Sequence, residues 1–319
     1  MKGIKIIGKY LTYIMTILIL TFLLPRIIPG SPLELSETDT YILNQSLPEE
    51  TFNAFRDYYE PEKSLGSQFI TYIKHMTKLD FGYSFYYKMP VGDLVLGRIP
   101  WTLIMSMGSI LISSFIAIPL AVSRGLKNKK DKVVLPSMIV IQALPVFLIS
   151  ILIQLVFAYR LNLFPSSGAY TPGMEFGDNG FIMDVIKHSF LPMITLVLGE
   201  VPSIYILAYN SVMKVKKENY IMMAQYLNIK PKDIKKKYLI PNIFPEILGK
   251  LNIQVIYAIT GSLFVESVFS YPGMGQLLKV AAANRDYPLL QGILLMVAIY
   301  GVVVNYIFEI ILKKSVARY

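Results

Sequence analysis

The sequence that decides the fold lies at residues 99–123 and reads IPWTLIMSMGSILISSFIAIPLAVS, with no charged side chain. A helix needs about 20 mostly apolar residues to cross the roughly 30 Å of hydrocarbon in a bilayer, and this run is long enough. The composition agrees, because 54% of the 319 residues are hydrophobic and only 16% are charged. Soluble domains carry about 25% charged residues, so a cytosolic enzyme and a disordered chain are both excluded.

Five further apolar runs resemble this one, and together they predict an all-α polytopic membrane protein with six transmembrane helices. They lie at residues 10–28, 133–159, 189–213, 251–269 and 287–308. The first run could also be a signal peptide, because three lysines precede it. No small-x-small cleavage pattern follows it, however, which favours a retained helix.

The basic residues predict the orientation of the chain. Segments on the side of the termini hold 19 Lys and Arg in 49 residues, whereas the opposite segments hold ten in 118. Basic residues concentrate on the cytoplasmic side, so both termini are predicted to be cytoplasmic. This topology, together with attraction to anionic lipid heads, explains the net charge of +10. Nucleic-acid binding is not needed to explain it. The chain has no cysteine, which excludes disulfides and thiolate metal sites.

Three parts are predicted along the chain. Residues 1–30 form an N-terminal tail and the first helix, 31–98 an acidic extracellular loop, and 99–319 a core of five transmembrane helices. A capping box at Ser46–Glu49 and a second cap at Ser64, starting a helix to about residue 78, predict that the loop is a helical cap. Docking of an extracellular partner and simple covering of helix ends are equally compatible with such a cap.

The inner segment 214–249 is too long for a turn and too polar to insert into a bilayer. A short amphipathic helix is predicted from Glu218 to about Asn228, and a second helical stretch from Lys232 to Leu239 that stops before Pro241. A helix of this kind either lies on the lipid surface or docks into another protein, and the residues alone leave both possibilities open.

No catalytic constellation is present, so the chain is not expected to be an enzyme or to bind a cofactor or metal itself. Gly3–Lys9 matches most of a phosphate-binding loop, but Tyr10 stands where Ser or Thr must reach magnesium. The two histidines, His75 and His188, lie in separate outer segments without carboxylates at ligand spacing.

Three polar residues within the predicted spans are candidates for a translocation path, namely Glu200, Gln254 and Glu266. Glu200 lies near the middle of the fourth run, where a charge costs at least about 2.5–3.5 kcal/mol. It must therefore face protein or water, or be protonated. A cavity carboxylate that meets a substrate amine and a hydrogen-bonded group between helices are both compatible with this position.

Residues 261–275, GSLFVESVFSYPGMG, and 281–288, AAANRDYP, carry a specific resemblance. Further matches are LDFGYS at 79–84, RIPWTL at 98–103, Leu191-Pro192 and Asn305. With these motifs the chain resembles the binding-protein-dependent permeases of ABC importers for oligopeptides, dipeptides and nickel. The resemblance extends from the first helix to the C-terminus.

This resemblance implies a type I importer fold and a function as half of a translocation path that works by alternating access. It implies a homologous second permease, two cytoplasmic ATPases that bind the ATP and magnesium, and an extracellular substrate-binding protein. The location implied is the bacterial or archaeal cell membrane. Oligopeptides or dipeptides are the expected substrates, with nickel or a metal chelate as the alternative. A self-sufficient channel or proton-coupled transporter that uses Glu200 and Glu266 is the alternative of another class.

The resemblance also places two contact sites. Residues 218–229 fall where the family has its coupling helix, which inserts into the ATPase, and the coupling candidates are Tyr220, Met223, Ala224, Gln225, Tyr226 and Asn228. Asn228 replaces a family glycine but tolerates the same left-handed turn. Met222 and Gln225 replace basic residues, while Ile206 and Tyr209 replace arginines. Residues expected to face the binding protein are Tyr271, Pro272, Asn284, Arg285 and Asp286.

Overall fold

The computed structural model describes residues 2–27, 58, 63–126 and 131–316. This part of the chain is mainly helical. The helices are α1 (Lys2–Ile27), α2 (Leu65–Thr77), α3 (Val91–Leu126), α4 (Val134–Gln142), α5 (Val146–Ile153, continued by the π-helical Gln154–Arg160), α6 (Phe181–Val215), α7 (Asn219–Tyr226), α8 (Pro231–Val268), α9 (Met274–Ala283) and α10 (Tyr287–Val316). Strands β1 (Tyr83–Ser84) and β2 (Met89–Pro90) pair antiparallel.

The chain divides into two compact units. The first comprises residues 1–101 and 272–303, and the second residues 102–271 and 304–319. Of the predicted cap, residues 28–57 and 59–62 lie outside the described residues, and the capping box at Ser46 is among them. The second predicted cap helix is confirmed as α2, and the Ser64 hydroxyl accepts a hydrogen bond from the Ser67 amide at 3.5 Å.

Four helices in the described residues are long and apolar enough to cross a membrane: α3, α6, α8 and the part of α10 up to Lys313. The pair α4 and α5 counts as a fifth span if its bend is taken as a break within one crossing. Within α1 the apolar part is the shorter Gly8–Leu23. The count of six spans and the orientation of the termini therefore stay predictions.

The third apolar run is not the single helix that the sequence predicted. Helices α4 and α5 meet at a bend of 95° after Gln142. Pro145 has no amide hydrogen to continue the helical pattern, and its ring disfavours helical geometry at Leu144. The break therefore has a local cause in the sequence.

The prediction that a helix ends before Pro241 is wrong, because α8 continues from Pro231 to Val268 with Pro241 and Pro245 inside it. Residues Ile234–Leu239, which end two positions before Pro241, are π-helical. A local π adjustment is one way in which a helix accommodates a proline ring and its missing amide hydrogen.

In the first unit, α2 is fastened to the end of α1 by Arg26. The guanidinium lies 3.7 Å from the centre of the Phe22 ring and donates to the Gln68 side chain at 2.7 and 3.1 Å. The hydroxyls of Thr21 and Tyr72 are 2.9 Å apart. These contacts explain how a basic residue is accommodated at the end of an apolar helix.

In the second unit, a cluster of small and aliphatic side chains joins α3, α6, α7 and α8. Ala117 and Ala121 of α3 are buried in it with Ala208 and Val212 of α6. One turn further along α3, a Cβ added to Gly125 would lie 2.6 Å from Cγ1 of Val212. Small residues on one face of α3 thus allow close helix packing, as is common in membrane proteins.

Candidate functional sites

The short helix α7 was predicted as the coupling element, and both of its ends are defined by the backbone. The carbonyl of Glu218 accepts from the amides of Ile221 and Met222 at 3.0 and 3.2 Å. At the other end Asn228 has a φ of 53°, and its amide donates to Gln225 at 3.0 Å. The left-handed turn predicted for Asn228 is confirmed, and it stops α7 before α8 begins.

Helix α7 has one buried and one exposed face. Ile221 and Ala224, which is 3% exposed, belong to the core cluster with α6 and α8. The exposed face is apolar and aromatic at Tyr220, Met222, Met223, Tyr226 and Leu227, and Gln225 and Asn228 are exposed beside it. Of the predicted coupling residues, Ala224 is thus a packing residue of this chain, and the other five are available to a partner.

Two contacts connect the helix ends and loops near α7. Lys216, at the end of α6, donates to the carbonyls of Gly125 and Leu126 at 3.3 and 3.2 Å, which stabilises the end of α3. Tyr205 donates a hydrogen bond to Asp131, whose carboxylate also accepts from the Val134 amide at 3.0 Å. These contacts connect α6 to the end of α3 and to the start of α4.

Burial disfavours the charged form of the Asp131 carboxylate, but hydrogen bonds outweigh this effect. The Tyr205 hydroxyl, the amides of Val134 and Val133 and the charge of Arg124 together lower the pKa of Asp131 below its ordinary value. Asp131 is therefore ionised at neutral pH and acts as an anionic acceptor at the start of α4.

Glu200 lies on α6, is 5% exposed, and is bonded to α3. The Ser109 hydroxyl donates to Oε1 at 2.9 Å, and the Ser113 hydroxyl donates to Oε2 at 3.3 Å. This geometry is that of a hydrogen-bonded group between helices. A contact of Glu200 with substrate stays an untested prediction.

A second carboxyl group on α8 makes the same type of contact. Thr102 of α3 donates to Oε2 of Glu266 at 3.1 Å. Thr102, Ser106, Ser109 and Ser113 therefore form a buried hydroxyl row at helical spacing along α3. Sequence reasoning missed this row, although its period was visible in the run that decides the fold. Gln254, the third path candidate, is also buried on α8.

The predicted outer contact residues differ in exposure. In the first unit, Asn284 and Arg285 are exposed, Pro272 is half-buried, and Asp286 is fully buried. The Asp286 carboxylate accepts from the Ser84 hydroxyl at 2.5 Å and the Tyr86 amide at 3.1 Å. Asp286 thus fastens the β1–β2 hairpin to the start of α10, and it is not a surface residue of this chain.

Tyr271 belongs to the second unit and is also buried. Its hydroxyl is 2.9 Å from that of Ser189 on α6, and its amide donates to the Glu266 carbonyl at 2.8 Å. Burial raises the pKa of Tyr271 to about 12, with the Ser189 hydrogen bond opposing and the nearby Glu266 reinforcing the shift. The phenol therefore stays neutral, and its hydrogen bond with Ser189 links α6 to the segment after α8.

The model of one family, the binding-protein-dependent transport system inner membrane component, matches residues 109–319, which is more than half of the chain. The chain belongs to this family. The resemblance inferred from 261–275 and 281–288 is thereby confirmed, and the chain is a permease subunit of an ABC importer. Members of this binding-protein-dependent family are membrane components and not themselves enzymes.

Relatives with named functions are similar over most of their length. The chain is 26% identical over 298 residues to the oligopeptide transport system permease protein AppB of Bacillus subtilis, covering 92% of this chain and 91% of AppB. It is 28% identical over 299 residues to the nickel import system permease protein NikB of Staphylococcus aureus, covering 92% of this chain and 83% of NikB.

A solved structure shows the same fold. A chain from the inward-facing MetNI methionine ABC transporter matches with a TM-score of 0.55 and 15% sequence identity, covering 70% of this chain and 96% of that one. At this identity the likeness concerns the fold alone. It confirms the predicted fold class, an all-α membrane protein of the ABC importer permease type.

Proposed function

We propose that this chain is the permease subunit of an ATP-driven importer of oligopeptides or dipeptides and forms half of its translocation path by alternating access. Membership of the family supports importer function, and relatives named as oligopeptide permeases support a peptide substrate. The observation that carries the proposal is the division of α7 into a buried face and an exposed apolar face. Such a helix can receive a force from a partner and pass it into the core.

The exposed face of α7 binds a cytoplasmic ATPase in this proposal. Met223 and Tyr226 are 64% and 85% exposed, and an apolar surface of this kind fits a cleft in a partner protein. Ile221 and Ala224 pack into the core with α6 and α8, so displacement of α7 moves both helices. Closure of two ATPases on ATP binding would rock α6 and α8, which opens the path outward, and hydrolysis would reset it.

The proposed complex contains this chain, a homologous second permease, two ATPases that bind ATP and magnesium, and an extracellular substrate-binding protein. Its location is the bacterial cell membrane, in keeping with the sources of the relatives. The predicted charge distribution puts α7 on the cytoplasmic side, where the ATPases lie.

Import of nickel or a metal chelate by the same mechanism is the second candidate. The observation in its favour is the similarity to a nickel import permease, which is as extensive as that to the peptide permeases. Both candidates use the same coupling helix, so the substrate alone separates them.

Uptake by the reconstituted complex tests the proposal. Vesicles that contain both permeases, both ATPases and the binding protein should accumulate labelled peptide only with ATP. Uptake of radioactive nickel without peptide uptake would favour the second candidate. Peptide uptake that persists when the ATPases lack their phosphate-binding lysine would show a self-sufficient transporter instead. Mass spectrometry of ligands that copurify with the binding protein identifies the substrate directly.

A further inference from the structure

The break between α4 and α5 exposes irregular backbone in the middle of an apolar run. The last backbone bond of α4 runs from the Leu144 amide to Ile141, and the next begins at the Leu148 amide with the Pro145 carbonyl. Residues 142–145 are all exposed in this chain, and Gln142 among them is polar. Irregular backbone at membrane depth is tolerated only against protein or a water-filled cavity, because lipid cannot satisfy its polar groups.

The break has a defined position in the second unit. A Cβ added to Gly199 of α6 would lie 3.2 Å from Cγ2 of Val146, so the first residue of α5 packs against this glycine. Further along, the Gln154 side chain donates to the Val268 carbonyl of α8 at 3.2 Å. The start of α5 thus packs against α6 and its continuation contacts α8, while residues 142–145 before it are exposed.

A second exposed surface of mixed character lies on α8, which packs against α5. Its exposed residues recur at helical spacing: Ile253, Ile256, Tyr257, Thr260 and Phe264. Tyr257 is 64% exposed and Thr260 is exposed one turn away. The Thr260 hydroxyl donates to the Ile256 carbonyl of the same helix at 3.4 Å, so Tyr257 carries the argument about the environment. Its exposed phenol suits a partly aqueous environment better than hydrocarbon, because a tyrosine ring has one apolar and one polar end.

Helix α3 offers the contrast within the same unit. Ile104, Leu111 and Phe115 form its exposed face, and Phe115 is 78% exposed. Because this face carries only apolar side chains at these positions, it suits lipid. Exposure alone thus does not distinguish the two environments, but exposure of polar side chains and of unwound backbone does.

We propose that the break at residues 142–145 and the Tyr257–Thr260 surface of α8 line the water-filled path through which the peptide passes. This inference rests on the proposed function, since it assigns the wall of that path. It places Glu200, Gln254 and Glu266 behind the wall, because all three are buried. The two carboxyl groups among them accept hydrogen bonds from α3. Backbone groups at the break would bind the main chain of the peptide and not its side chains. Binding of this kind allows one permease to transport peptides of different sequence.

The test uses the absence of cysteine from the natural chain. Single variants Gln142→Cys, Tyr257→Cys and Thr260→Cys are assembled into the complete importer and treated with a membrane-impermeant maleimide. Leu111→Cys and Phe115→Cys are the matched controls on α3. Modification of this chain is followed by its mass. We expect modification at 142, 257 and 260 to be at least about tenfold faster than at 111 and 115, since thiolates form only in contact with water.

Transported peptide should slow the modification at the three path positions and leave the controls unchanged. Rates at 142 and 257 as low as those of the controls, or rates that peptide does not alter, would overturn the inference. Thr260→Cys is a smaller change in side-chain volume and provides the same measurement if Tyr257→Cys lowers the yield. Peptide uptake is measured on the same preparations. ATP-driven uptake with unreactive path cysteines refutes only the inference, whereas absence of uptake by the natural chain refutes the proposed function.

Discussion

Helix α7 and the carboxyl groups of α6 and α8 differ in exposure. One face of α7 is exposed, whereas the carboxyl groups are buried by other parts of the chain. Ile221 and Ala224 hold α7 in the core, while Met223 and Tyr226 on its other face contact nothing that buries them. Glu200 is enclosed, with serine hydroxyls of α3 bonded to both of its oxygens. Helix α7 therefore has an exposed surface that a partner can contact. The carboxyl groups instead accept hydrogen bonds that link α6 and α8 to α3.

This difference shows that a polar residue within a span can serve the packing of helices as well as contact with another molecule. A buried polar side chain in a membrane protein needs internal partners because lipid offers none, and such pairs are found between packed helices. The surface left over for other molecules is revealed by exposure. Four variants test the contrast, in order of decreasing expected effect.

Tyr226→Asp should give the largest effect. An aromatic side chain that anchors an interface contributes about 2 kcal/mol or more, so ATP-driven uptake should fall at least about tenfold. The melting temperature of the chain should not change, because this side chain packs against little of its own fold. Tyr226→Phe, which keeps the ring, is the control. Normal uptake with Tyr226→Asp would refute the docking role of this face.

Ala224→Leu tests the buried face of the same helix. The larger side chain has no room against α6 and α8, and overpacking of this kind costs about 1–3 kcal/mol. A lower melting temperature of the purified chain is expected even without the ATPases. If stability is unchanged and only ATPase binding is lost, Ala224 belongs to the partner surface after all.

Glu200→Leu should destabilise the chain by about 1–2 kcal/mol, because two serine hydroxyls lose their carboxyl acceptor. Glu200→Gln keeps one acceptor oxygen and should lose less. Thermal unfolding in detergent measures both. Uptake and substrate preference should be unaltered by Glu200→Gln, and a changed preference for peptides would instead indicate a carboxyl group that contacts the substrate.

Asp131→Asn should have the smallest effect, under about 1 kcal/mol, because this carboxylate is partly exposed to screening solvent. The lowered pKa of Asp131 means that its contribution is present above the ordinary value of 3.8 and is lost as the pH falls through the folded value. The natural chain should therefore be slightly more stable than the variant at pH 7, and the gap should close below about pH 4. A gap that widens in acid would contradict the assignment.

Much of the architecture was accessible from residue patterns. Apolar runs identify α3, α6, α8 and α10 because span length is set by bilayer thickness. The cap at Ser64 and the left-handed turn at Asn228 follow local rules that involve only a few neighbouring residues. The break before Pro145 could also have been anticipated, whereas the continuation of α8 through Pro241 depends on a π-helical turn that no local rule required.

The sequence by itself determined that this chain is a membrane permease. The lengths of the apolar runs, the positions of the basic segments and the motif around residues 261–288 can all be read from the order of the residues. Only the tertiary structure decided which residues are available to other molecules. Ala224 and Asp286 turned inward and Tyr257 outward because helix packing, and not residue type, determines which face is buried. Polar residues are thus buried in hydrogen bonds at one position, as Asp286 is, and exposed at another, as Tyr257 is.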